Sequence, residues 1–311
     1  MLRIEDLYVR FPDNGSGKEV TAVCGVRLNL AKGRTLAVVG ESGSGKSVMG
    51  MSICSLLPHN AVISGSIRLD GMELLGLARR NMRALRGSRI AFVPQSAGLS
   101  LNPTMRCLRQ VSEVFVKRRG IKAKAAKHAA QDLLSRMGLM DRDKRRHPHM
   151  LSGGMRQRVL VGIGLSGAPD LLIADEPTKG LDMARQRDVQ TLFARIREEN
   201  PAMTVLLITH DLDLAESLAD EVAVMYGGAI AEQAPCAKFF GFPAHPYSRG
   251  LLAALPKRGL TPLPGRPLAP LQRPKGCVFH PRCTAADEQC RTYNPPLRDT
   301  GERSVSCWRH V

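Results

Sequence analysis

No apolar run in this chain approaches the roughly 18 consecutive residues a membrane-spanning helix needs, so the polypeptide is not expected to cross a bilayer by itself. The opening residues Met1-Leu2-Arg3-Ile4-Glu5-Asp6 lack the continuous apolar core of a secretory signal, which points to a cytosolic protein that meets a membrane only through partners. Aromatic residues are scarce, at 4% of 311 positions with a single tryptophan, which argues against an aromatic-rich RNA-binding surface. No internal repeat is visible, so the functional unit is present once per chain. Without an export signal, the eight cysteines do not suggest a disulfide framework. Cys24, Cys54, Cys107 and Cys236 are scattered and read as small buried hydrophobes. The other four fall within the last 35 residues and need a different explanation.

What is present is enough apolar residue, 43%, to build a real core, and enough length for one large domain or a domain with an appendage. The net charge of +17 is concentrated. Residues 117–146 hold eleven Lys/Arg against three Asp/Glu, and residues 249–311 hold eleven against four. Such stretches attract nucleic acid or anionic membranes, or simply form solvated faces; with so few aromatics, a nucleic-acid partner is not expected.

Apolar–polar alternation predicts antiparallel strands over residues 2–11 and 20–30, with a flexible turn at Asp13-Asn14-Gly15-Ser16-Gly17. Residues 35–39 read as a buried strand running into a glycine-rich loop, and residues 46–57 as the following helix, stopped by Pro58. Residues 96–160 look mainly helical, including 123–137 with Gly138 as C-cap. Val189, Leu192, Phe193 and Ile196 mark an amphipathic helix. Residues 171–174 and 205–208 suit central parallel strands, and 221–226 with 229–232 a hairpin turned by Gly227-Gly228. Beyond Pro235 the periodicities fade, and eleven of the twenty prolines lie between 243 and 296.

The loop between that strand and helix reads Gly40-Glu41-Ser42-Gly43-Ser44-Gly45-Lys46-Ser47 and fits the phosphate-binding pattern GxxxxGK[ST]. Its glycines let successive backbone N–H groups converge on phosphate oxygens at a helix N-terminus. Lys46 then places a charge on the β- and γ-phosphates, and the Ser47 hydroxyl is a ligand for Mg²⁺. Further on, an apolar strand delivers two acids, Asp175 for Mg²⁺ and Glu176 to polarise the attacking water. Together with LSGGM at residues 151–155 and the isolated Thr209-His210-Asp211, these motifs describe an ATP-driven machine.

The set resembles the ATP-binding subunit of an ABC transporter. That resemblance implies an α/β fold, the P-loop NTPase ABC cassette: a RecA-like core, an antiparallel β subdomain and a helical subdomain at roughly 96–160, all within residues 1–235. It further implies that Ser152, Gly153 and Gly154 form the signature that meets the γ-phosphate across a dimer interface. Gln95 would link Mg²⁺ and water to the transmembrane partner, His210 would contact the γ-phosphate, and Asp182 would couple the interface. Phe11 is the candidate adenine-stacking aromatic, or else a core residue. Thr178-Lys179-Gly180-Leu181-Asp182 departs from the family, which usually has small or polar residues in place of Lys-Gly; this fits pairing with a second, non-identical ATPase, with a neutral variation as the alternative.

Residues 239–256 (FFGFPAHPYSRGLLAALP) and the GCVFHPRC stretch resemble the small C-terminal extension, here 236–311, of ABC importers for oligopeptides, dipeptides and nickel. The resemblance implies a peptide importer, with nickel or a metal chelate as the alternative cargo. It places the chain at the cytoplasmic face of the inner membrane, with two transmembrane permeases and an extracytoplasmic solute-binding protein. A more distant alternative is a non-transport ABC ATPase acting on ribosomes or DNA; a P-loop kinase is a third. Cys277, Cys283, Cys290 and Cys307 suggest a Cys₄ metal centre. The resembled family favours a four-iron, four-sulfur ([4Fe–4S]) cluster over zinc, and unliganded thiols are the other reading.

Overall fold

The computed structural model describes residues 1–12, 19–95, 97–269 and 273–309; the turn expected at Asp13–Gly17 lies outside them. The chain folds as two compact units, one of residues 1–31, 35–76 and 208–311, the other of residues 32–34 and 77–207.

The first unit begins with an antiparallel sheet in the order Glu19–Leu30, Leu2–Pro12, Val62–Leu69, Met72–Glu73. Leu2 and Ile4 pair with Leu30 and Leu28 on one side and with Leu69 and Ile67 on the other. The apolar period of two then slips, because the next buried positions are Leu7 and Val9. A register shift between Ile4 and Leu7 absorbs the slip, with Asp6 at φ +46°. Without that bulge, one half of the strand would turn its apolar face to water. Arg27 bonds the Asp6 carboxylate at 2.8 Å and lowers its pKa.

The same unit holds the fully buried strand Thr35–Val39, which runs parallel to Glu221–Tyr226; Ala229–Pro235 then folds back antiparallel. The proline-rich residues 236–311 are part of this unit rather than a free appendage. They contribute the helices Cys236–Gly241 and Pro246–Ala253, and the strand Ser304–Val305 pairs antiparallel with Ala229–Pro235. A fully buried carboxylate, Glu232, pins them: it accepts from Ala244 N at 3.0 Å and His245 N at 2.8 Å, and Arg303 approaches it at 3.4 Å. Buried charge is tolerated only when bonded in this way. Tyr226, Tyr247 and Phe279 pack in tilted and edge-to-face contacts with centroids 4.6–5.3 Å apart and join the hairpin to the C-terminal segment.

The second unit pairs Ile90–Val93 parallel with Leu171–Asp175, and Thr204–Ile208, along which the chain returns to the first unit, lies beside Leu171–Asp175. The helices Cys107–Arg119, Ala123–Arg136, Gly153–Ser166 and Met183–Glu199 make up most of the rest. Cys107, Leu108, Val111 and Phe115 face Ala126, Ala130, Leu133 and Leu134 as two apolar stripes at helical spacing. The basic residues of 117–146 mostly occupy the opposite, exposed faces. No helix among the described residues is long and apolar enough to cross a membrane.

Candidate functional site

The strand Thr35–Val39 delivers the glycine-rich loop, and Gly45, at φ +99°, opens the helix Lys46–Ile53. That helix ends at Ile53, four residues short of the sequence expectation; Cys54 caps it, Ser55 turns to φ +50° and Leu56 N bonds Met51 O. The Lys46 ammonium is buried in the loop, donating to Gly40 O at 2.8 Å, Glu41 O at 2.9 Å and Ser44 Oγ at 3.3 Å. Two backbone carbonyls and one hydroxyl of the motif itself thus hold the ammonium, so the charge stands where phosphate oxygens would be received. Thr209 N donates to Val38 O, so the exposed His210 emerges beside the strand that feeds the loop. Phe11, half-buried, pairs with Val20, two residues before Ala22, whose carbonyl lies against Gly45.

Two further contacts on this loop were not foreseen in the sequence. Tyr247 Oη accepts from Glu41 N at 3.0 Å, and Arg282 grips the Glu41 carboxylate with both terminal nitrogens, at 2.8 and 3.0 Å. The bond to Glu41 holds the Arg282 guanidinium charged well above its ordinary range. Burial raises the Tyr247 phenol, which is therefore neutral.

In the second unit, Asp175 ends a strand buried along its whole length, and Asp175 and Glu176 are themselves only 4% and 7% exposed. Glu176 sits at φ +50°, a left-handed conformation unusual for a non-glycine residue and one concentrated at functional positions. Ser152 caps the helix Gly153–Ser166, accepting from Met155 N, and Asp182 caps Met183–Glu199, accepting from Arg185 N. These caps are neighbours: Gly153 faces Leu181 and Gly154 faces Arg185. Gln95 is half-buried just past Ile90–Val93, and Gly98 beyond it approaches Arg156 of the Ser152-capped helix. Lys179 is exposed.

The family model described as ABC transporter matches residues 23–179, half of the chain. The chain belongs to the ABC transporter family. A second model, the oligopeptide/dipeptide transporter C-terminal region, matches residues 231–290 of this ABC cassette protein. The dipeptide transport ATP-binding protein DppD of Bacillus subtilis is 38% identical, covering 99% of this chain and 94% of its own length. The oligopeptide transport ATP-binding protein OppD of Salmonella typhimurium is also 38% identical, over 100% and 94%. The dimeric post-hydrolysis structure of the ATP-binding cassette MJ0796 bound to ADP and Pi aligns with a TM-score of 0.68 at 26% identity, covering 76% of this chain and 99% of its own. As an ABC cassette, the protein is an ATPase that uses Mg·ATP.

Cys277, Cys283, Cys290 and Cys307 of the ABC protein line one small cavity, closed by His245, Phe279 and Trp308. Of the four scattered cysteines, Cys54 and Cys107 are buried as expected, whereas Cys24 and Cys236 are only half-buried. Burial pushes the Cys277 thiol up to about 11 and raises Cys283 and Cys290 as well, so metal binding here must displace protons. Among the described residues no three His, Cys, Asp or Glu are arranged to hold one metal ion. A single zinc would draw the sulfurs to about 3.8 Å from one another, given Zn–S bonds of about 2.3 Å. Four thiols around one cavity are the donor type that a zinc ion or an iron–sulfur cluster takes.

Proposed function

We propose that this chain is the ATP-hydrolysing subunit of an importer for oligopeptides or dipeptides. The observation that carries the reading is the joint match to the ABC model and to the oligopeptide/dipeptide C-terminal model in one chain, with relatives named for peptide transport aligned end to end.

In this reading the loop amides, from Gly40, Glu41, Ser42, Gly43, Ser44 and Gly45, together with Lys46, receive the β- and γ-phosphates. Ser47, Asp175 and Gln95 serve Mg²⁺, Phe11 stacks on adenine and His210 reports the γ-phosphate. Glu176 orients the attacking water, because phosphoryl transfer is governed by positioning and charge stabilisation. Ser152, Gly153, Gly154 and Asp182 serve the nucleotide of a second cassette, which the exposed Lys179 suggests is non-identical. The subunit is peripheral, on the cytoplasmic face of the inner membrane, carried there by two permeases and fed by an extracytoplasmic solute-binding protein. Capture of this chain from its native membranes is expected to bring down those permeases, a second cassette and a binding protein that takes peptides. Ribosomal or DNA-repair partners, or a binding protein selective for nickel, would overturn the reading.

Cys277, Cys283, Cys290 and Cys307 hold a [4Fe–4S] cluster in the same proposal. When bound, the cluster supplies folding free energy to a segment poor in periodic structure, and no redox step is assigned to it. Anaerobically purified protein is expected to contain iron and acid-labile sulfide in near-equal amounts. Protein that is folded but free of both would refute the cluster, and zinc in their place would reassign the site.

A further inference from the structure

We propose that the C-terminal segment tunes ATP binding through Arg282, a positioning residue whose guanidinium neutralises and fixes Glu41 inside the phosphate loop. The proposal rests on the loop binding Mg·ATP.

Glu41 is an awkward residue for its place. It sits between Gly40 and Ser42 in a loop whose task is to receive polyanionic phosphate, and a free carboxylate there would repel the ligand. The structure pairs it. Arg282 forms a two-pronged bond to both carboxylate oxygens, the geometry for which a planar guanidinium is suited and an ammonium is not. The Arg282 side chain is 5% exposed and its partner 24%, so water screens this pair less than it would a surface one. Its remaining nitrogen, Nε, donates to Pro264 O at 2.8 Å, and the guanidinium carbon lies 5.7 Å from the centre of the Tyr226 ring. The cation is therefore held from two sides, by Pro264 and Tyr226, before it reaches the loop.

Glu41 is also held at its backbone, where the fully buried Tyr247 hydroxyl takes its amide proton. The same residue's carbonyl accepts from the Lys46 ammonium and from Ser44 N. A continuous bonded path thus runs from two C-terminal side chains, 206 and 241 positions away in sequence, through one loop residue to the phosphate-binding lysine. Arg282 lies outside the phosphate loop and bonds Glu41, Pro264 and Tyr226. It acts by cancelling a charge and by setting the loop's shape.

The test is Mg·ATP binding, measured with a fluorescent ATP analogue, and steady-state hydrolysis by the full chain carrying Arg282→Gln, or Arg282→Gln with Glu41→Gln. Arg282→Gln is expected to weaken binding and raise KM about tenfold, with kcat within about twofold, a loss of about 1.4 kcal/mol. The double variant, which removes the exposed carboxylate, is expected to recover affinity to within about threefold of the unaltered chain. A strap that merely holds the fold together would give equal losses in single and double variants, and that result overturns the proposal. So does an unchanged KM in Arg282→Gln. If that variant does not fold, Arg282→Lys decides, because it keeps the charge but loses the fork. A rise in KM of about threefold supports the proposal, and an unchanged KM refutes it. The unaltered chain separates the two levels: failure to bind the analogue would sink the ATP reading itself, whereas binding that ignores position 282 would sink only the clamp.

Discussion

Glu176→Gln is expected to lower ATP turnover by two to four orders of magnitude, the usual worth of a positioned base, while leaving Mg·ATP binding within about twofold. The side chains are nearly isosteric, so the substitution changes charge and proton affinity without changing volume. Glu176 is 7% exposed and follows the wholly buried strand Leu171–Asp175, which fixes its backbone. Its φ of +50° costs roughly 1–3 kcal/mol for a non-glycine residue. Neighbouring structure bears that cost, and glutamine pays the same one, so the backbone has no reason to relax. The phosphate loop and Asp175 are untouched, so affinity is preserved. Equilibrium binding and single-turnover hydrolysis on the same preparation separate the two effects. Ordinary turnover by the amide variant would remove Glu176 from the role of water-orienting base.

Gly45→Ala is expected to abolish detectable nucleotide binding, a loss of a hundredfold or more. Gly45 opens the phosphate-loop helix at φ +99°, and an added Cβ would overlap the Ala22 carbonyl oxygen and meet Met225 Cε at 2.9 Å. Ala22 is the extra residue of a bulge, with Thr21 paired to Arg10 on one side and Val23 to Val9 on the other, so its carbonyl cannot retreat without disturbing that register. The loop must move instead, and with it every N–H that points at phosphate. Gly43→Ala is the internal comparison. It shares the positive φ, +81°, but nothing lies within 4 Å of its added Cβ. Only the left-handed penalty of about 1–2 kcal/mol applies, so binding is expected to weaken by about tenfold. Near-equal affinities for the two variants would show that collision with Ala22 is not what the glycine avoids.

The contrast between those glycines also marks what a sequence discloses. Residues 40–47 were legible because a phosphate loop requires particular residues at fixed spacing, and the buried strand before it because a short apolar run bounded by turns has few other uses. The strand Val62–Leu69 went unrecognised, since its Ser-Gly-Ser centre obscures the alternation that Ile67 and Leu69 carry into the core. The Asp6 bulge was equally hidden: alternation reports which residues are apolar, not where a strand changes phase. Least legible was the C-terminal segment. Its elements are short and its prolines many, so no period survives, yet it is held by Glu232, by three mutually packed aromatic rings and by the Arg282–Glu41 pair. Contacts across more than two hundred positions leave no local trace in one sequence. The four cysteines could be seen to cluster, but nothing in their spacing revealed that they share a cavity with His245.

The pairing of Ser304–Val305 with Ala229–Pro235 sets an order of events on the ribosome. Until residue 304 leaves the exit tunnel, one side of Ala229–Pro235 has no neighbouring strand and the Glu232 carboxylate lacks its Arg303 contact. An open strand edge is a template for association with other nascent chains. A message broken between codons 235 and 304 therefore yields a product that carries every nucleotide motif and still leaves Ala229–Pro235 without its outer neighbour.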